Sequence, residues 1–174
     1  MLSLLTPHLQ LGSVLDLDAI QLHSFDLQGL LLDVDSTLKD HGAQMFSDPV
    51  QGWVKALRSD GIRLCLLSNG KPHRIGALAR QLDLPFVPLA FKPLPLGCLR
   101  ALKKLGLSPH RAAMVGDQLF ADILAGRLAG LFTILVRPTS LAEPWFTRLK
   151  RPLERCLLRR WMAPPDLEPM HTPD

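Results

Sequence analysis

Two aspartates, one residue apart, end an apolar run at Leu30-Leu31-Leu32-Asp33-Val34-Asp35, and two hydroxyl side chains follow at Ser36 and Thr37. Carboxylates held side by side at a strand end are costly without a cation between them. Three further apolar runs also end in polar residues. Ser68-Asn69 follows 62–67, Lys92 follows 85–89, and Asp117 follows 112–115, with Asp122 five residues later. The acids Asp33, Asp35 and Asp117 suit a hard, oxygen-seeking ion such as Mg²⁺, which binds through one or two carboxylates plus a substrate phosphate. A bound cation lets acids stay ionised, so Asp33 is a candidate carboxylate nucleophile. Asp35 is a candidate proton carrier, giving a proton to a leaving oxygen and then taking one from water. Ser68, nearby backbone N–H groups and Lys92 would hold phosphoryl oxygens and offset charge in the transition state. Positioning, a metal and cationic support are what phosphoryl transfer requires.

Each signal is weak alone. Ser-Asn-Gly is usually a turn, a lysine before proline is usually a solvated loop residue, and Gly-Asp at a strand end is often a helix cap. Their strength lies in the elements that carry them. Strands are expected at 28–34, 62–67, 85–89, 112–115 and 131–136, the first a continuous Leu-rich run of the kind buried on both faces. Helices are expected between them. One starts at Ser47-Asp48-Pro49, with a capping hydroxyl and a first-turn proline, and runs through Trp53, Val54 and Leu57 to Gly61. Others cover 72–82 and 96–105. The last runs from Asp117 to Gly130, with Leu119, Ile123, Leu124 and Leu128 on one stripe and Gly130 as its stop. The alternation implies an α/β fold with a five-stranded parallel sheet between helical layers. In such folds ligands bind beyond the carboxyl ends of the strands, where the strand order reverses, so the four polar ends share one crevice. Residues 39–45 are expected to form a polar loop over the first strand end. Residues 1–27, with a short helix near 16–23, are expected to cover one flank of the core.

The chain of 174 residues is one domain in size, with 47% apolar and 21% charged residues, ordinary values for a soluble globular protein. Cys65, Cys98 and Cys156 are scattered without metal-type spacing, which favours reduced thiols and a cytoplasmic location. No run is long enough to span a bilayer, and residues 1–15 lack the basic leader of a signal peptide.

The segments Asp33-Val34-Asp35-Ser36-Thr37-Leu38, Leu66-Leu67-Ser68-Asn69, Phe91-Lys92-Pro93 and Gly116-Asp117-Gln118-Leu119-Phe120-Ala121-Asp122 resemble the four motifs of the haloacid-dehalogenase-like (HAD) phosphatase superfamily. The resemblance implies a Rossmann-like, HAD-like three-layer sandwich and Mg²⁺ as cofactor. It implies Asp33 as the nucleophile that forms an aspartyl-phosphate, and Asp35 as the general acid/base. Asp33, Asp117 and the backbone carbonyl of Asp35 would ligate the metal. Thr37 would support Asp35, Ser68 and Asn69 would lie at the phosphate, and Lys92 would be the motif-three lysine. Asp122 matches the second acid of motif four, reaching the metal through water or orienting Lys92. Ser36 stands where Gly or Asn is commoner. Residues 39–65 have room for a flap and one helix, so no cap domain is expected and the site would suit a bulky substrate. Together with residues 5–7, 13–20 and 116–136, the pattern is similar to the YqeG-like subfamily, which is related to phosphatidylglycerophosphate phosphatases. That likeness covers most of 1–140.

The charge of +4 is concentrated in residues 144–162, where six basic residues (Arg148, Lys150, Arg151, Arg155, Arg159 and Arg160) face Glu154 alone. Trp145, Phe146, Leu149, Leu153, Leu157 and Trp161 fall near one helical stripe. A basic amphipathic helical segment over 141–162 is thus expected to lie on an anionic membrane, as a peripheral attachment. The alternative is a final helix packed on the sheet, and Pro152 breaks or kinks either one. Residues 163–174 read as a disordered tail. The expected partner is a phosphomonoester, most naturally a lipid phosphate, and phosphatidylglycerophosphate by the resemblance. The alternatives are a soluble phosphate ester, a phosphoprotein, or a non-catalytic phosphate-binding module. No nucleic-acid module is present, and the oligomeric state is left open.

Overall fold

The computed structural model describes residues 2–139. Within it the apolar runs become a six-stranded parallel sheet: β1 (Leu9–Leu11), β2 (Gly29–Leu32), β3 (Arg63–Leu67), β4 (Phe86–Val87), β5 (Ala112–Gly116) and β6 (Phe132–Val136). The strand order is β1-β6-β5-β2-β3-β4. From β2 the chain builds outward through β3 and β4, then crosses to the other side of β2 to lay down β5 and β6. The order therefore reverses between β2 and β5, which pair from Gly29 with Ala112 to Leu32 with Val115.

Helices α1 (Ala19–Ser24), α2 (Asp48–Ser59) and α3 (Pro72–Leu82) accompany one apolar core, which includes Leu22, Leu30, Val54, Leu66 and Ile75. On the opposite side Leu31, Cys65 and Met114 join residues of α4 (Leu96–Leu105) and Ala125 of α5 (Leu124–Leu128). The side chains of β2 alternate between the two cores, Leu30 and Leu32 to one and Leu31 to the other, so a strand buried on both faces must be apolar throughout. Close packing also explains Gly29, where a Cβ would lie 2.4 Å from Leu107 Cδ1 and 2.7 Å from the Arg63 carbonyl.

The expected architecture holds, with six strands in place of five. The added strand is β1, in the segment expected only to cover a flank. It pairs with β6 from Leu9 with Ile134 to Leu11 with Val136. Three residues are too few for an alternation to register in sequence. The Asp18 side chain accepts from Gln21 N at 2.8 Å and starts α1. At α2, Ser47 holds the N-cap position without a side-chain cap bond, beside a first-turn proline. β4, expected at 85–89, is shorter, just Phe86–Val87. The stretch from Asp117 begins as a π-helical turn over Leu119–Ile123 before α5. Leu119 and Ile123 are buried but Leu128 is exposed, so the expected stripe is broken. Gly130 adopts φ +75° just beyond α5, where a left-handed residue ends a helix.

Between β2 and β3 the chain forms turns and α2. Cys65 and Cys98 are free and buried, and burial pushes both thiols up to about 12. No helix among the described residues is long and apolar enough to cross a membrane. The basic segment 141–162, the tail 163–174 and Cys156 lie outside the described residues.

Candidate active site

The reversal between β2 and β5 puts Asp33 and Asp117 one residue beyond adjacent strand ends, and Asp33 N still donates to the Val115 carbonyl at 2.9 Å. The π-helical turn then brings Asp122 back beneath Gly116. A Cβ on Gly116 would lie 2.3 Å from Asp122 Cγ, so only glycine leaves that carboxylate its place. One oxygen from each of Asp33, Asp117 and Asp122 falls within 4.8 Å of the others, and all three residues are buried.

Lys92 enters this group from the segment after β4. Its Nζ donates to Asp33 Oδ1, to Asp122 Oδ1 at 2.6 Å and to the Leu67 carbonyl at 3.4 Å. Asn69 fixes the lysine's backbone, its Oδ1 accepting from Lys92 N at 2.9 Å and its Nδ2 donating to Lys92 O at 3.1 Å. Ser68 is buried at the end of β3, and its Oγ accepts from Gly70 N at 3.0 Å.

The turn after Asp33 sorts the remaining side chains. Ser36 adopts φ +64°, Ser36 N donates to Lys39 O at 2.8 Å, and Asp35 and Lys39 form an isolated bridge. Thr37, expected to support Asp35, donates from Oγ1 to Asp117 Oδ1 at 3.2 Å instead. Asp35, expected to converge with Asp33 and Asp117, directs its carboxylate to two cations. Arg74 meets it with both guanidinium nitrogens, Nη1 at 3.0 Å from Oδ1 and Nη2 on Oδ2. Lys39 Nζ lies 2.9 Å from Oδ1.

The acid group is thus Asp33, Asp117 and Asp122, not Asp33, Asp35 and Asp117. Asp122 orients Lys92, one of its two expected roles, and also belongs to the group. Asn69, expected at the phosphate, has both ends of its amide on Lys92. Arg74 and Lys39 were missed. The sequence hints at them only through the four-residue step from Asp35 to Lys39 and the placement of Arg74 in the first turn of α3.

Burial raises Asp33 above the ordinary carboxylate range, Lys92 draws it back, and Asp122 raises it again. Burial also raises Asp117, with Asp122 and Asp33 adding to the effect. Burial lowers the Lys92 pKa, but the charges of Asp122 and Asp33 outweigh this and raise it overall. At Asp35 burial is outweighed by hydrogen bonds from Arg74 and Lys39, which hold the carboxyl at about 2.

The donor set fits a divalent cation. Three buried carboxylates and one ammonium leave two negative charges in a small volume. All the acid donors are hard oxygens, as Mg²⁺ and its relatives require. The upward shift of Asp33 and Asp117 is the response of crowded buried carboxylates, and a bound cation relieves it.

Comparisons with known proteins bear on the fold and the family. The chain is 29% identical over 133 residues to the probable phosphatase YqeG of Bacillus subtilis, covering 76% of this chain and 77% of that protein. It is 26% identical to phosphatidylglycerophosphate phosphatase 1, chloroplastic/mitochondrial, of Arabidopsis thaliana, over 90% of this chain but only 48% of that protein. Among solved structures, the cobalt-bound deoxy-D-mannose-octulosonate 8-phosphate phosphatase YrbI of Haemophilus influenzae superposes with a TM-score of 0.53 at 16% identity, covering 72% of this chain and 75% of that one. The protein XCC2798 of Xanthomonas campestris does so with a TM-score of 0.54 at 20% identity, covering 80% and 79%. Residues 27–130 match the family profile described as haloacid dehalogenase-like hydrolase, and the chain belongs to that family.

Proposed function

We propose that the protein is a Mg²⁺-dependent phosphomonoester hydrolase that works through an aspartyl-phosphate on Asp33, with phosphatidylglycerophosphate as its substrate. The observation that carries the reaction is the grip of Lys92 on both Asp33 and Asp122, beside Asp117, in the crevice between β2 and β5. Asp33 attacks the phosphorus and the ester P–O bond breaks, leaving the phosphoryl group on the carboxylate as an acyl phosphate. Asp35 gives the departing alkoxide its proton, then takes one from the water that attacks phosphorus and releases inorganic phosphate. In its pairing with Arg74 and Lys39, Asp35 is ionised, the form that accepts a proton. The acid half of the cycle requires that the pairing loosen when substrate enters.

Lys92, Ser68 and backbone N–H groups near Gly70 hold the phosphoryl oxygens, and Asn69 keeps Lys92 in place. Asp33, Asp117 and the Asp35 carbonyl, with Asp122 beside them, would hold Mg²⁺, which would neutralise charge on the phosphoryl group. Support for a lipid substrate comes from the Arabidopsis relative and from the single helix between β2 and β3, which inserts no cap over the crevice among the described residues. On this reading the basic segment 141–162 rests on an anionic membrane. The neighbour named as a sugar-phosphate phosphatase motivates a second reading, a soluble phosphate ester as substrate.

Phosphate release from phosphatidylglycerophosphate in mixed micelles, set against a panel of soluble esters, separates the two. We expect Mg²⁺-dependent release from the lipid that is absent in Asp33→Asn. Brisk release from a soluble ester and none from the lipid would overturn the substrate.

A further inference from the structure

Half of the ten large apolar side chains exposed among the described residues come from one stretch: Leu89, Phe91, Leu94, Leu96 and Leu99. The backbone is bent to put them there. Leu89 and Phe91 adopt φ of +45° and +56°, a region bulky side chains normally avoid. Between and beside them, Ala90 is fully buried and Lys92 turns its ammonium into the active site. The same few residues therefore build the catalytic lysine's mount and an apolar outer surface.

On α4 the exposed face reads Leu96, Leu99, Arg100 and Lys103, one stripe at helical spacing that passes from apolar to basic. Phe91 and this stripe line a groove of about 510 Å³. Arg100 ties the two halves together, donating from Nη2 to the Leu89 carbonyl at 2.8 Å. Charge decides what kind of partner fits. From residue 84 to residue 116 there is no acidic side chain, and the exposed bases on α4 are Arg100, Lys103 and Lys104, since Lys92 is turned into the active site and Arg111 pairs with Asp26. An apolar groove with two bases and no acid among its lining residues is complementary to a layer of apolar chains beneath anionic headgroups.

We propose that this surface docks the folded domain on an anionic lipid bilayer. Leu89, Phe91, Leu94, Leu96 and Leu99 enter the headgroup–acyl boundary, and Arg100 and Lys103 meet lipid phosphates. The inference deepens the lipid-phosphate reading above and rests on it for its purpose: Lys92 lies between Phe91 and Leu94, so the active site opens beside the docked surface. It is distinct from the basic segment 141–162, because every residue in it belongs to the sheet-and-helix domain.

The test uses the full chain and a Leu96→Ser/Leu99→Ser/Lys103→Gln variant, none of whose positions touches the acid group. Each is mixed with vesicles of phosphatidylcholine alone or of phosphatidylcholine with phosphatidylglycerol, free of phosphomonoester lipid, and sedimented. Turnover of p-nitrophenyl phosphate is measured alongside. The proposal predicts that the wild-type chain sediments with the anionic vesicles and not the neutral ones. It also predicts that the variant partitions roughly tenfold or more weakly, since apolar insertion and each basic contact both contribute. Soluble-ester turnover should be unchanged. Equal sedimentation of the two proteins would overturn the proposal, as would failure of the wild type to bind. Loss of a dimer in the variant, with vesicle binding intact, would also overturn it and assign the surface to a second copy of the chain. Because the vesicles carry no substrate, each of these outcomes leaves the assignment of the reaction to be judged by turnover alone.

Discussion

Asn69 holds both backbone polar groups of Lys92, accepting from its N–H at 2.9 Å and donating to its carbonyl at 3.1 Å. The two residues are 23 apart in sequence, Asn69 two residues beyond β3 and Lys92 five beyond the neighbouring β4. The lysine that meets Asp33 and Asp122 is therefore fixed at its backbone by the strand next to it, before its side chain makes any contact.

Asn69→Ala should lower activity without unfolding the protein. It leaves a donor and an acceptor unpartnered and frees the Lys92 segment, a loss of about 1–3 kcal/mol, or roughly fivefold to 150-fold in kcat. Steady-state phosphate release with a matched circular dichroism spectrum checks this. A variant with wild-type kcat would show that the clamp does not position the lysine.

Gly116→Ala should damage the site through Asp122. Its new Cβ would fall 2.3 Å from the Asp122 Cγ, so the carboxylate must move off Lys92 Nζ and the Gln118 N–H. Overpacking of this kind costs about 1–3 kcal/mol, and the expected result is lower thermal stability together with a higher Mg²⁺ requirement for activity. Unaltered activity at low Mg²⁺ would contradict it.

Mg²⁺ should release protons as it binds. Burial raises Asp33 and Asp117 above the ordinary carboxylate range, so part of the population carries protons near neutral pH that a cation displaces. Affinity should rise with pH, and activity lost to chelator should return with added Mg²⁺. Calorimetry in two buffers of different ionisation enthalpy measures the protons. A heat that does not depend on the buffer would contradict the expectation.

The pairing of Asp35 with Arg74 and Lys39 should appear in acid. The carboxyl is held at about 2 from an ordinary 3.8, so its folded-state pKa lies below its unfolded one. The stability this gives, on the order of 2 kcal/mol, is fully present well above pH 4 and disappears as pH falls through 2. Urea unfolding of wild type and Arg74→Met should differ most at pH 6 and by about half as much near pH 3. A difference that does not change with pH would mean the arginine acts by packing alone.

Much of this was legible in sequence for a simple reason. Asp33, Ser68, Lys92 and Asp117 follow apolar runs, and a parallel sheet gathers the carboxyl ends of its strands. Five strands and the crevice followed from that pattern. β1 did not, because Leu9-Gln10-Leu11 is too short to show a period and gains its place by pairing with β6. The choice of partner by each side chain was also hidden. Thr37 reaches Asp117 rather than Asp35 because Ser36 turns the backbone to φ +64°. Asp122 reaches Lys92 because a π-helical turn, not a regular α-turn, carries it. Arg74 meets Asp35 across 39 residues, a contact that no local spacing announces.

The central claim is that Asp33 carries the phosphoryl group, and the most direct measurement is to trap it. The enzyme is quenched in acid while turning over a phosphomonoester with Mg²⁺, the acyl phosphate is reduced with borohydride, and the peptide containing residues 30–38 is sequenced by mass spectrometry. The account predicts reduction of Asp33 to homoserine in the wild type, and none in the absence of substrate or in Asp33→Asn, which should release no phosphate. Reduction at another residue, or phosphate release by Asp33→Asn at the wild-type rate, would contradict it.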